Sequence, residues 1–492
     1  MTMLSKTKNG RIPAFLFYGL LQLWPCIAFS QQVDTAWVRR YNGPANGDDK
    51  AVAIAVDSSG NVYVTGSSFD STTGYDYCTI KYFPNGETAW VRRYNGSSNW
   101  HDFTSALELD SNGNIYVTGR SNGDYATIKY DSVGQQLWAR RLSLLWNDSN
   151  DGAYALAIDR HGNIYVTGRI LDNELLLSWV TIKYDSQGNE RWILFDTHIP
   201  SGTTFAITID DSENVYVMNS IGCIKYDSLG NPLWFRSYPG VARDIALDKG
   251  GSLYVVGDSG SFFGANNFAV IKYDSSGNQL WVRGSNGIPN FSEYSAPLIV
   301  TDKHNNAYVS GVSFYVFDIL NWLGVKFDST GNWLWGWEYN GIDRGLPREP
   351  KAMALDSSGN VYVTGYDAWY AATIKYDSQG NLLWEKKYGD NIYRAIANDV
   401  AIDHIGNVFV TGFTQGDFFT IKYSPLPQLK GDLNLDGVLS LQDVIFAINY
   451  TFMGEIPPAA PSACDLNCDG ILSGADVVIL LRMVFSSAPA PC

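Results

Sequence analysis

Cysteine and histidine are scarce in this 492-residue chain, with six Cys and five His. The histidines are scattered: His161, His304 and His404 fall in one class of turn, while His101 and His198 lie in linking segments. No His-centred site, zinc spacing, phosphate loop or nucleophile elbow can be assembled from them. Basic residues are also in deficit, 35 Lys and Arg against 50 Asp and Glu, for a net charge of −15. A phosphate backbone needs a basic stripe, so nucleic acid is excluded as a partner. Beyond the N-terminal segment there is no apolar run of about 18 residues, the length a spanning helix needs. The chain is nonetheless 45% hydrophobic and only 17% charged, enough to bury cores, and its length suits two to four domains.

The first 30 residues read as an export signal. Lys6, Lys8 and Arg11 precede an apolar run from Pro13 to Ala28, and Ala28-Phe29-Ser30 sets small residues before Gln31. Pro25 before Cys26 argues against a lipid-anchored cysteine. The mature protein is expected to be secreted or held at the cell surface, without a membrane span. Cys78 and Cys223 sit in apolar strands and read as inert core thiols. Cys464, Cys468 and Cys492 cluster at the C-terminus, where export favours a disulfide, but three cysteines leave the connectivity open.

What the chain has in abundance is glycine (47), tryptophan (16) and an internal repeat. Asp57-Ser58-Ser59-Gly60-Asn61-Val62-Tyr63-Val64-Thr65-Gly66 returns at 110–119, 159–168 and 356–365, with weaker copies at 210–219, 248–257, 302–311 and 403–412. A second phrase follows, typified by Thr127-Ile128-Lys129-Tyr130-Asp131-Ser132-Val133-Gly134 and then Leu137-Trp138. The mean spacing is about 49 residues, a period of propellers and solenoids. Each period holds four short β-branched or aromatic strands separated by Gly-Asn turns, the content of one propeller blade. The fourth-strand Trp occurs at 37, 90, 138, 192, 234, 281, 335 and 384. Trp37 precedes every first strand, and nothing of its kind follows Ile421-Lys422-Tyr423. The chain therefore opens with an orphan fourth strand and closes with a blade lacking one. Joining them predicts an all-β fold, a closed propeller of eight four-stranded blades without an exposed seam. The phrases resemble a bacterial β-propeller repeat family over residues 34–424, a resemblance that implies fold and little about activity.

After a Pro425-Leu426-Pro427 linker (425–430), the composition changes. Asp432, Asn434, Asp436, Gly437, Ser440 and Asp443 occupy positions 1, 3, 5, 6, 9 and 12 of a loop, and Asp465, Asn467, Asp469, Gly470, Ser473 and Asp476 repeat the spacing. Oxygen ligands at these intervals, with the Val438 and Ile471 carbonyls at position 7, suit a hard cation, and two Ca2+ ions are expected. No amphipathic helix enters either loop, while apolar helices are predicted over 444–452 and 477–485. A duplicated loop-then-helix with Asp at position 12 resembles a type I dockerin module, covering residues 431–492. That resemblance implies docking onto a cohesin-like domain. Positions 10 and 11 are Leu441-Gln442 and Gly474-Ala475 rather than the usual hydroxyl pair, so the partner is expected to be a divergent cohesin, or else an intramolecular or surface target. Cys468, at loop position 4, is free to pair with Cys492 without costing a ligand.

The uniform Gly-Asn turns should share one end of the ring, leaving the variable loops at the other. That face offers Trp100, Trp146, Trp322, Trp369 and Tyr370, whose rings suit stacking on a glycan. Asp49, Asp102 and Asp151 each lie eight residues before a turn Asp, placed either to form an acidic arc at the channel mouth or to cap loops through backbone N–H groups. No catalytic pair can be chosen. The leading expectation is a non-catalytic binding or scaffold propeller. The alternatives are a dockerin-bearing glycoside hydrolase or accessory protein in polysaccharide degradation, and a structural cell-surface repeat protein.

Overall fold

The computed structural model describes residues 33–97, 99–143, 151–171, 177–196, 206–259, 268–284, 298–315, 319–341, 346–425, 439–449, 451, 466 and 473–486. The chain divides into two compact units, 32–427 and 1–31 with 428–492.

The larger unit is an eight-bladed β-propeller. Its strands form eight four-stranded antiparallel sheets, seven of them simple meanders in chain order. Blades one to seven span residues 49–94, 102–142, 152–196, 206–237, 241–284, 298–339 and 348–388. Blade eight combines Ile396–Ile402, Val408–Thr414 and Asp417–Pro425 with the N-terminal strand Val33–Tyr41 as its fourth member. That closure is antiparallel from Val33 opposite Pro425 to Tyr41 opposite Phe418. The first strands contact one another around the ring and line its axis.

The repeated phrases are explained by what their side chains hold. Asp57 Oδ1 accepts the N–H groups of Ser59 and Asn61, each at 2.9 Å. Its Oδ2 accepts the Asn61 amide at 2.8 Å and the Tyr63 hydroxyl at 3.0 Å. Gly60, at φ +78°, makes the bend that an L side chain would resist. The same network recurs at Asp110, Asp159 and Asp356. The second phrase joins one blade to the next. Lys81 Nζ and Trp90 Nε1, both from blade one, donate to a single carbonyl, that of Ser132 in blade two, at 2.9 and 3.3 Å. Arg92 donates to the Gly134 carbonyl of the same turn at 2.6 Å. Lys129 and Trp138 hold Ser186 in the same way, and the pattern continues through Ser228, Ser275, Ser329 and Ser378. At the closure, Trp37 and Lys422 both reach the Pro84 carbonyl of blade one. Each Lys also lies over the second-strand ring of its own blade, as Lys81 does over Tyr63 at 5.1 Å.

Strands run further toward the variable end than the apolar runs suggested. Val62–Asp70 pairs with Gly74–Tyr82 as far as Asp70 opposite Gly74, so most of 67–76 is ladder rather than loop. Both faces of the ladder are covered there, burying Ser67, Ser68 and Asp76, a polar pattern that reads as loop when only apolar content is counted.

In the smaller unit, helix α1 (Leu441–Ile448) and helix α2 (Gly474–Ser486) pack through Val444, Ala447, Val477, Leu480 and Met483, with Leu466. Both begin one turn earlier than the apolar pattern indicated, because Ser440 and Ser473 act as N-caps. Gln442 N–H donates to Ser440 Oγ and Ala475 N–H to Ser473 Oγ, both at 3.2 Å. No described helix is long and apolar enough to cross a membrane.

Ring closure should be energetically visible. Trp37→Ala removes a buried indole and its clip to Pro84 and is expected to cost about 3–5 kcal/mol in denaturant unfolding. Deleting residues 1–41 should go further, exposing the Asp417–Pro425 edge and producing aggregates on size exclusion. A monodisperse deletion variant with unchanged unfolding would refute the closure.

Candidate functional site

The variable end is built from links between blades. Asp49 Oδ2 accepts the Gly43 N–H at 2.5 Å and its Oδ1 the Phe69 N–H at 3.1 Å. Asp102 Oδ2 accepts the Gly96 N–H at 2.7 Å. Burial raises both carboxyls above the usual range, against the pull of these hydrogen bonds. Asp49, Asp102 and Asp151 are all buried, so they do not form a solvent-facing acidic arc. For Asp49 and Asp102 the capping role holds, and glycine makes it possible: a Cβ on Gly96 would lie 2.3 Å from Ser121 Oγ.

Blade seven reverses the charges of this arrangement. Arg348 occupies the place of Asp49, and Asp367 that of Ser68. Arg348 Nε lies 2.5 Å and Lys387 Nζ 2.6 Å from the Asp367 carboxylate. The Tyr339 hydroxyl bonds Asp367 at 3.0 Å and Glu385 at 2.7 Å. Burial works to raise Asp367, but its bonds and charge contacts with Lys387 and Arg348 outweigh it and hold the carboxyl below its ordinary value. Sequence reasoning missed this network, and its signal was an Arg standing where three other blades carry Asp.

The aromatic candidates separate. Trp100 is 63% exposed and Trp369 39%, and Tyr370 is half-buried. Trp322 is fully buried and cannot present a face to a ligand. It lies within the extended third strand Ile319–Phe327 of blade six, packed against Tyr339 at 5.2 Å, not in a loop. Next to Trp100 in the sequence, His101 and Phe103 join Phe69 and Tyr75 in a chain of rings with centroids 5.2–6.0 Å apart. The Arg120 guanidinium lies 4.8 Å over Phe103. His101 Nδ1 accepts the Tyr75 N–H at 3.2 Å. The opposite end also carries a cleft of about 500 Å³ between blades two and three, lined by Asn112, Lys129, Arg160, His161 and Gln187 among others. Lys129 there is already bound to Ser186, and Gln187 Nε2 to Ser186 Oγ.

The axial channel holds a third group of residues. Glu108, Asp244 and Asp399 stand on first strands. Asp399 Oδ2 accepts the Ile54 N–H of blade one, and Asp244 Oδ2 the Ile299 N–H of blade six, each at 2.9 Å. Burial pushes Asp244 up to about 7 and Asp399 to about 6 despite those bonds. Glu108 is open to channel water while protein crowds it closely. That crowding, followed by the nearby Asp399 charge, raises it to about 7. Cys78 and Cys223 are buried free thiols, and burial pushes Cys78 up to about 12, as expected of inert core cysteines.

In the smaller unit, the described parts of the two loops coincide. Asp443 Oδ2 accepts the Ser440 N–H at 2.8 Å and hydroxyl at 3.1 Å, and Asp476 Oδ2 accepts those of Ser473 at the same two distances. Both carboxylates are buried. Asp432, Asn434, Asp436, Val438, Asp465, Asn467, Asp469 and Ile471 lie outside the described residues, as do Cys464, Cys468, Cys492, Trp146 and the segment 1–30. Among the described residues no three His, Cys, Asp or Glu side chains are grouped to hold a metal.

Residues 36–68 and 89–126 match the family model for a beta-propeller repeat. These are β-propeller repeats. Each matched stretch starts on a fourth strand and runs into the next blade, the phase in which the ring itself closes. No curated protein matches the chain. Similar solved structures include a protein of unknown function from Bacteroides caccae, 13% identical, covering 59% of this chain and 94% of that one, with a TM-score of 0.34. The Neurospora crassa Pan2 WD40 domain is 10% identical over 81% of this chain and 97% of that one, TM-score 0.43. Dihydro-heme d1 dehydrogenase NirN, solved in complex with DHE, is 11% identical over 77% and 73%, TM-score 0.49.

Two outcomes test these groups. Asp367→Asn leaves Arg348 and Lys387 without their shared carboxylate and should cost about 3–5 kcal/mol in urea unfolding, whereas an exposed surface pair is worth under about 1 kcal/mol. For Glu108, the folded state binds the proton more tightly than the unfolded chain, whose value is about 4.3. The group's contribution to stability is therefore full below that value and lost as pH rises toward about 7. Glu108→Gln should match the parent at pH 4 and melt higher at pH 8. Equal differences at both pH values would contradict the assignment.

Proposed function

We propose that this protein is an exported, non-catalytic propeller that presents a binding surface and is tethered by a calcium-organised, dockerin-like C-terminal module to a cohesin-bearing complex or surface. The observation that carries the reading is the duplicated Ser-to-Asp geometry at the starts of α1 and α2, the same three hydrogen bonds at the same distances in each. Positions 9 and 12 of both loops converge there, and every remaining side-chain donor in the pattern is a hard oxygen. The residues present thus fit calcium: Asp432, Asn434, Asp436, Ser440, Asp443 and the Val438 carbonyl in one loop, with Asp465, Asn467, Asp469, Ser473, Asp476 and the Ile471 carbonyl in the other. Bound calcium supplies positive charge against clustered carboxylates and links loop to helix, so binding energy becomes folding energy in so small a unit.

Export is supported by the basic-then-apolar start. A binding role, rather than a catalytic one, is supported by the fate of the candidate carboxylates. Asp49 and Asp102 are engaged as loop caps, and Asp244 and Asp399 as strand staples. Exposed Trp100 and Trp369 at the variable end are the surfaces offered to a glycan or another extracellular polymer.

Chelation of the full-length protein should render residues 428–492 protease-sensitive while the propeller stays resistant, and added Ca2+ should reverse this. Asp443→Ala with Asp476→Ala should abolish the calcium dependence. A tail equally resistant with and without chelator would overturn the reading.

A further inference from the structure

Each blade ends in a fourth strand whose outer edge pairs with no other strand among the described residues. Such edges are templates for strand addition, and proteins guard them with charge. Seven of the eight carry Lys or Arg: AWVRR around Trp37, TAWVRRY, QLWARRL, ERWILFD, PLWFRS, QLWVRG and LLWEKKY. Blade six does not. Its outer strand, Trp333–Tyr339, reads WLWGWEY, with Glu338 its one charge. The exception has a local cause. Trp337 stands where other blades have the clip arginine, and stacks on Tyr376 with centroids 4.5 Å apart and planes 15° from parallel. Gly324 makes the room, since a Cβ there would come within 2.1 Å of the Trp337 ring. Trp333 is 58% and Leu334 45% exposed, and Gly336 and Glu338 are exposed beside them.

The strand is also self-complementary. Aromatic residues at 333, 335, 337 and 339 are symmetric about Gly336. Antiparallel pairing with a second copy about that residue sets Trp335 opposite Trp337, and brings Trp333 and Leu334, the two residues of the strand's bulge, against Tyr339 and Glu338. The two Glu338 carboxylates then lie four residues apart, about 13 Å at strand rise, beyond the screening length of about 8 Å at physiological salt. The same operation on blade one, centred on Val91, leaves Arg92 and its copy two residues apart, about 7 Å, inside that length.

We propose that the outer strand of blade six is a self-association surface, joining two copies edge to edge about a two-fold axis at Gly336. An isologous contact of this kind closes at two and consumes both unguarded edges, so it does not propagate into fibres.

Sedimentation equilibrium of the full-length protein tests this, with substitutions at the exposed Leu334, where folding is not at stake. The parent should show a concentration-dependent monomer–dimer equilibrium. Leu334→Glu faces Glu338 of the other copy twice over and should lower the association constant about tenfold. Leu334→Lys makes the same contact attractive and should associate at least as tightly as the parent. Leu280→Glu, on the outer strand of blade five, should leave association unchanged. A parent that stays monomeric at every attainable concentration overturns the proposal. So does a dimer indifferent to Leu334→Glu, or one lost equally with Leu280→Glu.

Discussion

One carbonyl in each of seven blades carries much of the ring. The backbone oxygen of the serine in the third-to-fourth turns of blades two to seven, and that of Pro84 in blade one, receives an indole N–H and an ammonium from the preceding blade, so both of its lone pairs are committed. A carbonyl bound twice in a half-buried setting fixes the angle between blades as well as their separation, because indole and ammonium approach from different strands of one sheet. The ammonium is in turn set over a tyrosine ring, which offsets part of the cost of removing it from water. Blade-to-blade geometry therefore follows from four residue types, Lys, Tyr, Ser and Trp, and their recurrence in sequence is the recurrence of this joint.

The joint also explains why the conspicuous motifs say so little about activity. In six of the eight blades the first-turn Asp is saturated by two backbone N–H groups, an amide and a phenol, as at Asp57, and the Lys and Trp of the second phrase are spent on the neighbouring turn. At the regular end of the propeller the repeated polar side chains are thus already committed to the fold. Chemistry available to a ligand is left to the links at the other end, to the channel, and to the small C-terminal unit.

That division sets what could be read from the sequence. The blade number, the strand borrowed from the N-terminus and the turn positions were legible because each rests on local residue identity repeated many times over. The burial of Trp322 was not, since a polar, aromatic strand tip looks like loop until its partner strand is known. Asp49 and Asp102 carried two readings, arc or cap, and only the approach of the Gly43 and Gly96 N–H groups decided between them. The shifts at Glu108, Asp244 and Asp399 depend on which first-strand positions turn toward the axis. The register is displaced by one residue in those same strands, between Thr104 and Ala106, Ala242 and Asp244, and Ala397 and Asp399. A bulge moves a side chain from one face to the other, and no alternation rule applied to the sequence alone foresees it.

The same accounting bears on the acidic balance of the chain. Cations are short to begin with, and many are consumed internally: Lys81, Lys129, Lys183, Lys225, Lys272 and Lys326 in the joints, Arg39, Arg92, Arg140, Arg236 and Arg283 on turn glycines. Those arginines also put positive charge along the outer strands, the kind of residue that discourages edge-to-edge pairing. Where tryptophan replaces arginine in blade six, the packing of Trp337 on Tyr376 maintains the joint by dispersion and stacking instead of charge. The internal requirement is met either way, but the guard on the outside is lost. A substitution neutral for the joint is thus consequential for the surface, because one residue had been performing both roles.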